Sequence, residues 1–116
     1  MDFDFDYSLE IKTQRLDVVR RALMGGELQL FGEDQKLLGR IALDADCGAV
    51  IADLLYFTGF PKYAMAEGAG KVRFALLVGK DGSVVASNRN ISDQVSRPEV
   101  SLNNIIRVDK LEIRHG

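Results

Sequence analysis

The chain has few of the residues that most enzymatic chemistry uses. Its 116 residues include no tryptophan, one cysteine (Cys47), one histidine (His115) and two prolines (Pro61 and Pro98). A lone cysteine closes no internal disulfide, so stability has to come from packing. One histidine and one cysteine together exclude an ordinary zinc site. His115 is the penultimate residue, where an imidazole is not held rigidly enough for a nucleophile–histidine–carboxylate triad. Cys47 has no sequence-local base to activate it and reads as a small loop or core residue. No sign of charge dominates: the formal net charge is −2, which gives no basic surface for a phosphate backbone and argues against nucleic acid as the main partner. No apolar run approaches the roughly 20 residues that cross a bilayer. The acidic opening MDFDFDYSLE lacks the basic and apolar regions of a signal peptide, so synthesis in a cytosol is expected.

Motifs that would bind ions or phosphates also fail on inspection. Asp2-x-Asp4-x-Asp6 resembles the first half of a calcium loop, but Tyr7 stands where the turn glycine belongs and Thr13 where the bidentate glutamate belongs. Asp44 and Asp46 read as loop solvation. Gly68-Ala69-Gly70-Lys71 is no phosphate loop, because Met65 and Val72 occupy the positions of the first glycine and the hydroxyl residue, and Arg73 replaces the third glycine of a dinucleotide fingerprint. The arginines at positions 15, 20, 21, 73, 89 and 97 are scattered, without the interleaved aromatics of a single-strand binder. No catalytic, metal-binding or cofactor-binding residue is assigned, and the chain is read as a non-enzyme.

What the chain does have is ordinary globular composition, 47% apolar and 28% charged, in a length that suits one domain. Residues 2–7 alternate aspartate with Phe3, Phe5 and Tyr7, so an extended conformation puts three carboxylates on one side and three rings on the other. We read residues 1–12 as an N-terminal arm and Phe3, Phe5 and Tyr7 as its candidate partner interface, against a groove that another subunit can supply; the alternative is a loosely docked terminus. Thr13 is the expected N-cap of a helix over 14–24, with Leu16, Val19 and Leu23 forming its apolar stripe and Val18 and Ala22 contributing less regularly. Gly25-Gly26 stops it.

From residue 27 the pattern is β throughout, in short strands with turn signals between them. Strands are expected over 27–31, 37–43, 50–57, 63–66, around Ile91, at Val100–Leu102 and over 108–113. The clearest element is Lys71–Ser87, a hairpin turned by Gly79-Lys80-Asp81-Gly82-Ser83. Strict alternation puts Val72, Phe74, Leu76 and Val78 on its core face. The spacing fits a β-sandwich or a barrel. The fold expected is mainly β, an antiparallel, jelly-roll-like β-sandwich over residues 13–116 with one short N-terminal α-helix.

Read in order, several blocks resemble a family of short virion structural proteins of tailed bacteriophages. They are the helix Arg15–Leu23 followed by Gly25-Gly26, the strands Leu28–Gly32 and Leu38–Leu43, and the apolar strand Asp53–Phe57. They continue with the small-residue segment Ala64–Gly70, the block Phe74–Val85, Leu102-Asn103-Asn104 and the final Val108–Ile113. The acidic, aromatic arm lies outside the family's pattern, as does Ala49–Asp53, where a glycine-rich approach is usual. The resemblance implies no catalytic residue and no cofactor. It implies a role on the virion, on the capsid exterior after synthesis in the bacterial cytoplasm, as a decoration or cement protein that stabilises the major-capsid shell. The expected partners are the major capsid protein or other virion proteins, and further copies of the chain in a dimer or trimer; no membrane is involved. The alternatives are a head–tail connector or tail-associated protein and, from a different class, a carbohydrate-binding β domain using Tyr56, Phe57 and Tyr63.

Overall fold

A computed structural model describes residues 5–88, 91 and 99–115. Among them are one helix, α1 (Leu9–Leu23), and ten strands: β1 (Glu27–Gly32), β2 (Leu37–Ala42), β3 (Gly48–Ile51), β4 (Leu54–Phe57), β5 (Lys62–Met65), β6 (Gly70–Val78), β7 (Val84–Asn88), β8 (Glu99–Val100), β9 (Ile105–Val108) and β10 (Glu112–Arg114). The protein is mainly β, with antiparallel sheets and one N-terminal helix. The largest sheet has the order β2-β1-β6-β7, with β8 pairing with the start of β6; a second runs β10-β4-β3, and β5 pairs with β9.

Helix α1 begins five residues before the expected start, which corrects the boundary of the arm. Ser8, not Thr13, is the N-cap: its side chain accepts from the Ile11 N–H (3.3 Å), and Glu10 in the first turn suits the helix dipole. Residues 9–12 therefore belong to the helix. Thr13 lies within it, its hydroxyl in donor reach of the Leu9 carbonyl (2.9 Å) and the Ala52 carbonyl (2.6 Å). The helix ends as expected, with Gly25 at φ +70 and the Gly26 N–H donating to the Leu23 carbonyl (2.9 Å). Leu16 and Leu23 are buried and Val19 packs beside them, whereas Val18 and Ala22 stay exposed.

The hairpin at 71–87 forms as β6–β7. Gly82 takes φ +87 in its turn, and the Asp81 carboxylate accepts from the Ser83 N–H (3.1 Å) and hydroxyl (2.7 Å). Its two faces differ from strict alternation. Along β1 and β6, Phe31 pairs with Phe74 but Gly32 pairs with Val72, so Arg73 is an extra residue that makes a β-bulge. The bulge changes the phase. Val72 is in the core, and beyond Arg73 it is Ala75 and Leu77 that point inward, while Phe74 and Leu76 lie half-buried on the other face. Phe74 stacks there on Phe31, ring centroids 5.1 Å apart.

Two other expectations are corrected. The apolar run 50–57 is two strands, β3 and β4, turned at Ala52-Asp53 with Ala52 at φ +57. The final stretch 108–113 is likewise divided: β9 pairs with β5, and after Leu111 the chain crosses to pair β10 with β4. The strand expected around Ile91 falls mostly outside the described residues; Ile91 itself is buried, and its N–H donates to the Arg73 carbonyl (2.8 Å).

One apolar core joins these parts. Leu28, Leu30, Leu38, Ile41, Ala75 and Leu77 face it from the large sheet, Leu55 and Phe57 from the second, Ala64, Ile106 and Val108 from the β5–β9 pair, and Leu16 and Leu23 from α1. A β-carbon added at Gly39 of β2 would meet the Ile106 side chain at 2.9 Å and Ala64 at 3.4 Å, so glycine lets the large sheet approach the β5–β9 pair closely.

Candidate functional site

The side chains considered for chemistry are engaged structurally. Cys47 is buried in the loop before β3, where its thiol donates to the Arg20 carbonyl (3.4 Å) and burial pushes its pKa up, away from the thiolate. Asp44 pairs with Lys62 (2.8 Å), and Asp46 lies 3.6 Å from Arg20. Among the described residues no group of three or more His, Cys, Asp or Glu side chains is placed to hold a metal ion; Asp2 and Asp4 lie outside those residues. His115 stands edge-on to Tyr7, centroids 5.7 Å apart. The three aromatics considered for stacking on a sugar differ in placement. Phe57 is buried, Tyr56 is on β4 of the second sheet, and Tyr63 is on β5 of another.

Two surfaces remain with the character of contact sites. The first is the outward face of β5 and β9. Alternation along these strands sends Ala64, Ile106 and Val108 inward and leaves Tyr63, Met65, Ile105 and Arg107 outside. The register sets Met65 opposite Ile105 and Tyr63 opposite Arg107, so these side chains are direct cross-strand neighbours. Tyr63 is 59% exposed, Met65 64% and Ile105 67%, and Leu102 is exposed in the turn just before β9. A two-stranded ladder thus presents a contiguous apolar face with a charged margin of Arg107 and Asp109 (2.8 Å apart). Sequence reasoning missed this face because its two strands are far apart in the chain; period-two exposure in each was the available signal.

The second surface is a groove along β10, an edge strand that pairs with β4 on one side and with no strand on the other among the described residues. One part is a cavity of about 330 Å³ between β10 and the β6–β7 hairpin, floored by Leu28, Ala75, Leu77, Ile91 and Leu111. A second part, about 370 Å³, lies between β10 and α1, against Leu16 and Val19. The two share Ile113 and Arg114.

Of the expected interface residues, Phe3 lies outside the described residues. Phe5 is 91% exposed. Tyr7 is half-exposed with the Arg15 guanidinium 4.3 Å from its ring centroid, and so sits at the α1 end of the groove. Among the described residues, Tyr7 is where arm and groove are brought together. Comparison of the chain with protein-family models, with curated proteins and with solved structures finds no match.

Proposed function

We propose that this chain is a virion structural protein of a tailed bacteriophage, a decoration or cement protein that seats the β5–β9 face on the outside of the major-capsid shell. The observation behind this reading is the Tyr63/Met65/Ile105 face: apolar, contiguous and held by a hydrogen-bonded ladder over a fully apolar core. Exposed apolar faces of this kind mark protein–protein contact. Its residue types also suit an interface centre, since tyrosine, methionine and arginine are enriched there. The partner class is what the sequence resemblance to short virion proteins of tailed bacteriophages implies. On a symmetric shell, many copies of one modest contact add by avidity, so no single interface has to be tight.

The test is binding of purified chain to undecorated capsids. Cosedimentation and a raised capsid melting temperature are expected with the native chain, and both are lost with Met65→Asp/Ile105→Asp while the variant itself still melts cooperatively. Native chain that neither cosediments with capsids nor raises their melting temperature overturns the decoration reading. Confinement of the chain to the neck or tail of purified particles would assign it instead to the connector or tail.

A further inference from the structure

We infer that copies of this chain associate by exchanging their N-terminal arms, residues 2–7 of one copy lying in the groove along β10 of the other. This does not rest on the capsid reading, because it concerns contacts of the chain with itself. Three observations lead to it. Phe5 is 91% exposed and so finds no cover in its own molecule, although Tyr7, two residues on, is seated on Arg15 and His115 at the end of the groove. The groove offers an arm what it needs, an apolar floor of Leu28, Ala75, Leu77 and Ile91 beside an edge of β10 that no strand among the described residues pairs with. An extended segment can add to such an edge through backbone hydrogen bonds while alternate side chains enter the floor.

Charge agrees with this placement. The arm alternates Asp2, Asp4 and Asp6 with its rings, and the groove presents Arg114, exposed and lining both of its parts, and Arg15 at its α1 end over Tyr7; the opposing charges are Glu112 and Asp53, the latter 3.8 Å from Arg114. With rings inward on the apolar floor, the carboxylates face out toward the arginines. Length agrees as well: five extended residues reach about 17 Å from Tyr7. Because each arm leaves from the end of its own groove, two copies related by a two-fold axis at that end bring each arm to the other's groove, which makes the contact isologous and closed. Cavities of about 300 Å³ and more are of the size that takes up compact apolar groups.

Sedimentation of the full chain tests the inference. The native chain is expected to give a concentration-dependent dimer that weakens as salt is raised. Phe3→Ser/Phe5→Ser and, separately, Arg114→Glu should each raise the dimer dissociation constant about tenfold or more, with the circular dichroism spectrum unchanged and a melt that stays cooperative. To separate exchange from an arm folding into its own groove, Asp4→Cys and Ser87→Cys are combined in one chain and mildly oxidised. A covalent dimer that neither single variant forms is the expected product. A native chain monomeric at all concentrations, a dimer indifferent to the arm variant, or a cross-linked species of monomer mass would each overturn the exchange.

Discussion

Asp17 and Phe74 show what single side chains contribute, one through charge and one through packing. The Asp17 carboxylate accepts a hydrogen bond from Arg20 (2.9 Å) and pairs with Arg21 (2.9 Å); the Arg20 contact, against some desolvation, holds its pKa below the ordinary aspartate value of 3.8. Its folded pKa is thus lower than its unfolded one. The unfolded chain takes up the proton first as pH falls, so the contribution is complete above the ordinary aspartate range and is lost as pH drops through the folded value. Asp17→Asn is therefore expected to flatten the acid limb of a plot of urea midpoint against pH, by a small amount because the pair is solvated. Phe74 makes the opposite point about size. A large ring in an alternating strand is expected at the centre of the core, yet it is half-buried beside Phe31, while Leu30 opposite Ala75 is fully buried. Leu30→Ala should cost about 3 kcal/mol, and Phe74→Ala less than that, about 1–2 kcal/mol for a partly solvated stacked ring. Urea unfolding of the two variants gives the ranking, and a larger loss for Phe74→Ala would mean its face is covered.

At the scale of elements, legibility followed the turns. The β6–β7 hairpin is plain in the sequence because Asp81 and Gly82 give its turn a chemical signature. The β3–β4 hairpin is hidden because its turn uses Ala52 in the left-handed region, where glycine or asparagine is usual. Tertiary contacts compensate: Thr13 of α1 reaches the Ala52 carbonyl, and the His115 N–H donates to the Asp53 carbonyl (2.9 Å). Asp109-Lys110-Leu111 has no glycine or proline either, so β9 and β10 read as one strand. The helix start was misplaced for a related reason: Ser8 and Thr13 both have capping side chains, and only the fold shows which one is used. The arm's aromatic alternation was legible as a contact signal, but its groove was not, since α1, β6, β7 and β10 meet there only after folding. Where elements abut, glycine marks the contact. A β-carbon at Gly26 would collide with the Val78 carbonyl oxygen where β1 leaves α1. Gly26→Ala should cost about 1–3 kcal/mol, read as a lower melting temperature with the far-UV spectrum retained.

For the whole molecule, the unequal sheets imply unequal stability. β1 and β6 have hydrogen-bonded strands on both sides and place Leu28, Leu30, Ala75 and Leu77 in the core. β9 and β10 are short, and among the described residues each pairs with a single strand. Amide exchange should therefore be slowest in β1 and the Ala75–Val78 half of β6, and faster in β10, which opens without disturbing the large sheet. If the arm of a second copy occupies the groove, raising protein concentration should slow exchange in β10 selectively. Uniform slowing throughout the chain, or none, would argue against that occupancy.

The bulge at Arg73 also bears on how the chain tolerates changes of length. Because Gly32 faces Val72 while Phe31 faces Phe74, Arg73 is a spare residue, and removing it would leave the strand on either side in frame, each side chain on the face it now occupies. Removing Ala75 instead would shift one flank by one residue and exchange its inside for its outside. Deletion of Arg73 is thus expected to yield folded, soluble protein, missing chiefly the ion pair with Glu33 (3.3 Å) and the hydrogen bond from Ile91, whereas deletion of Ala75 should not fold. Along β6, position 73 is the place where an indel can be absorbed as quietly as a substitution.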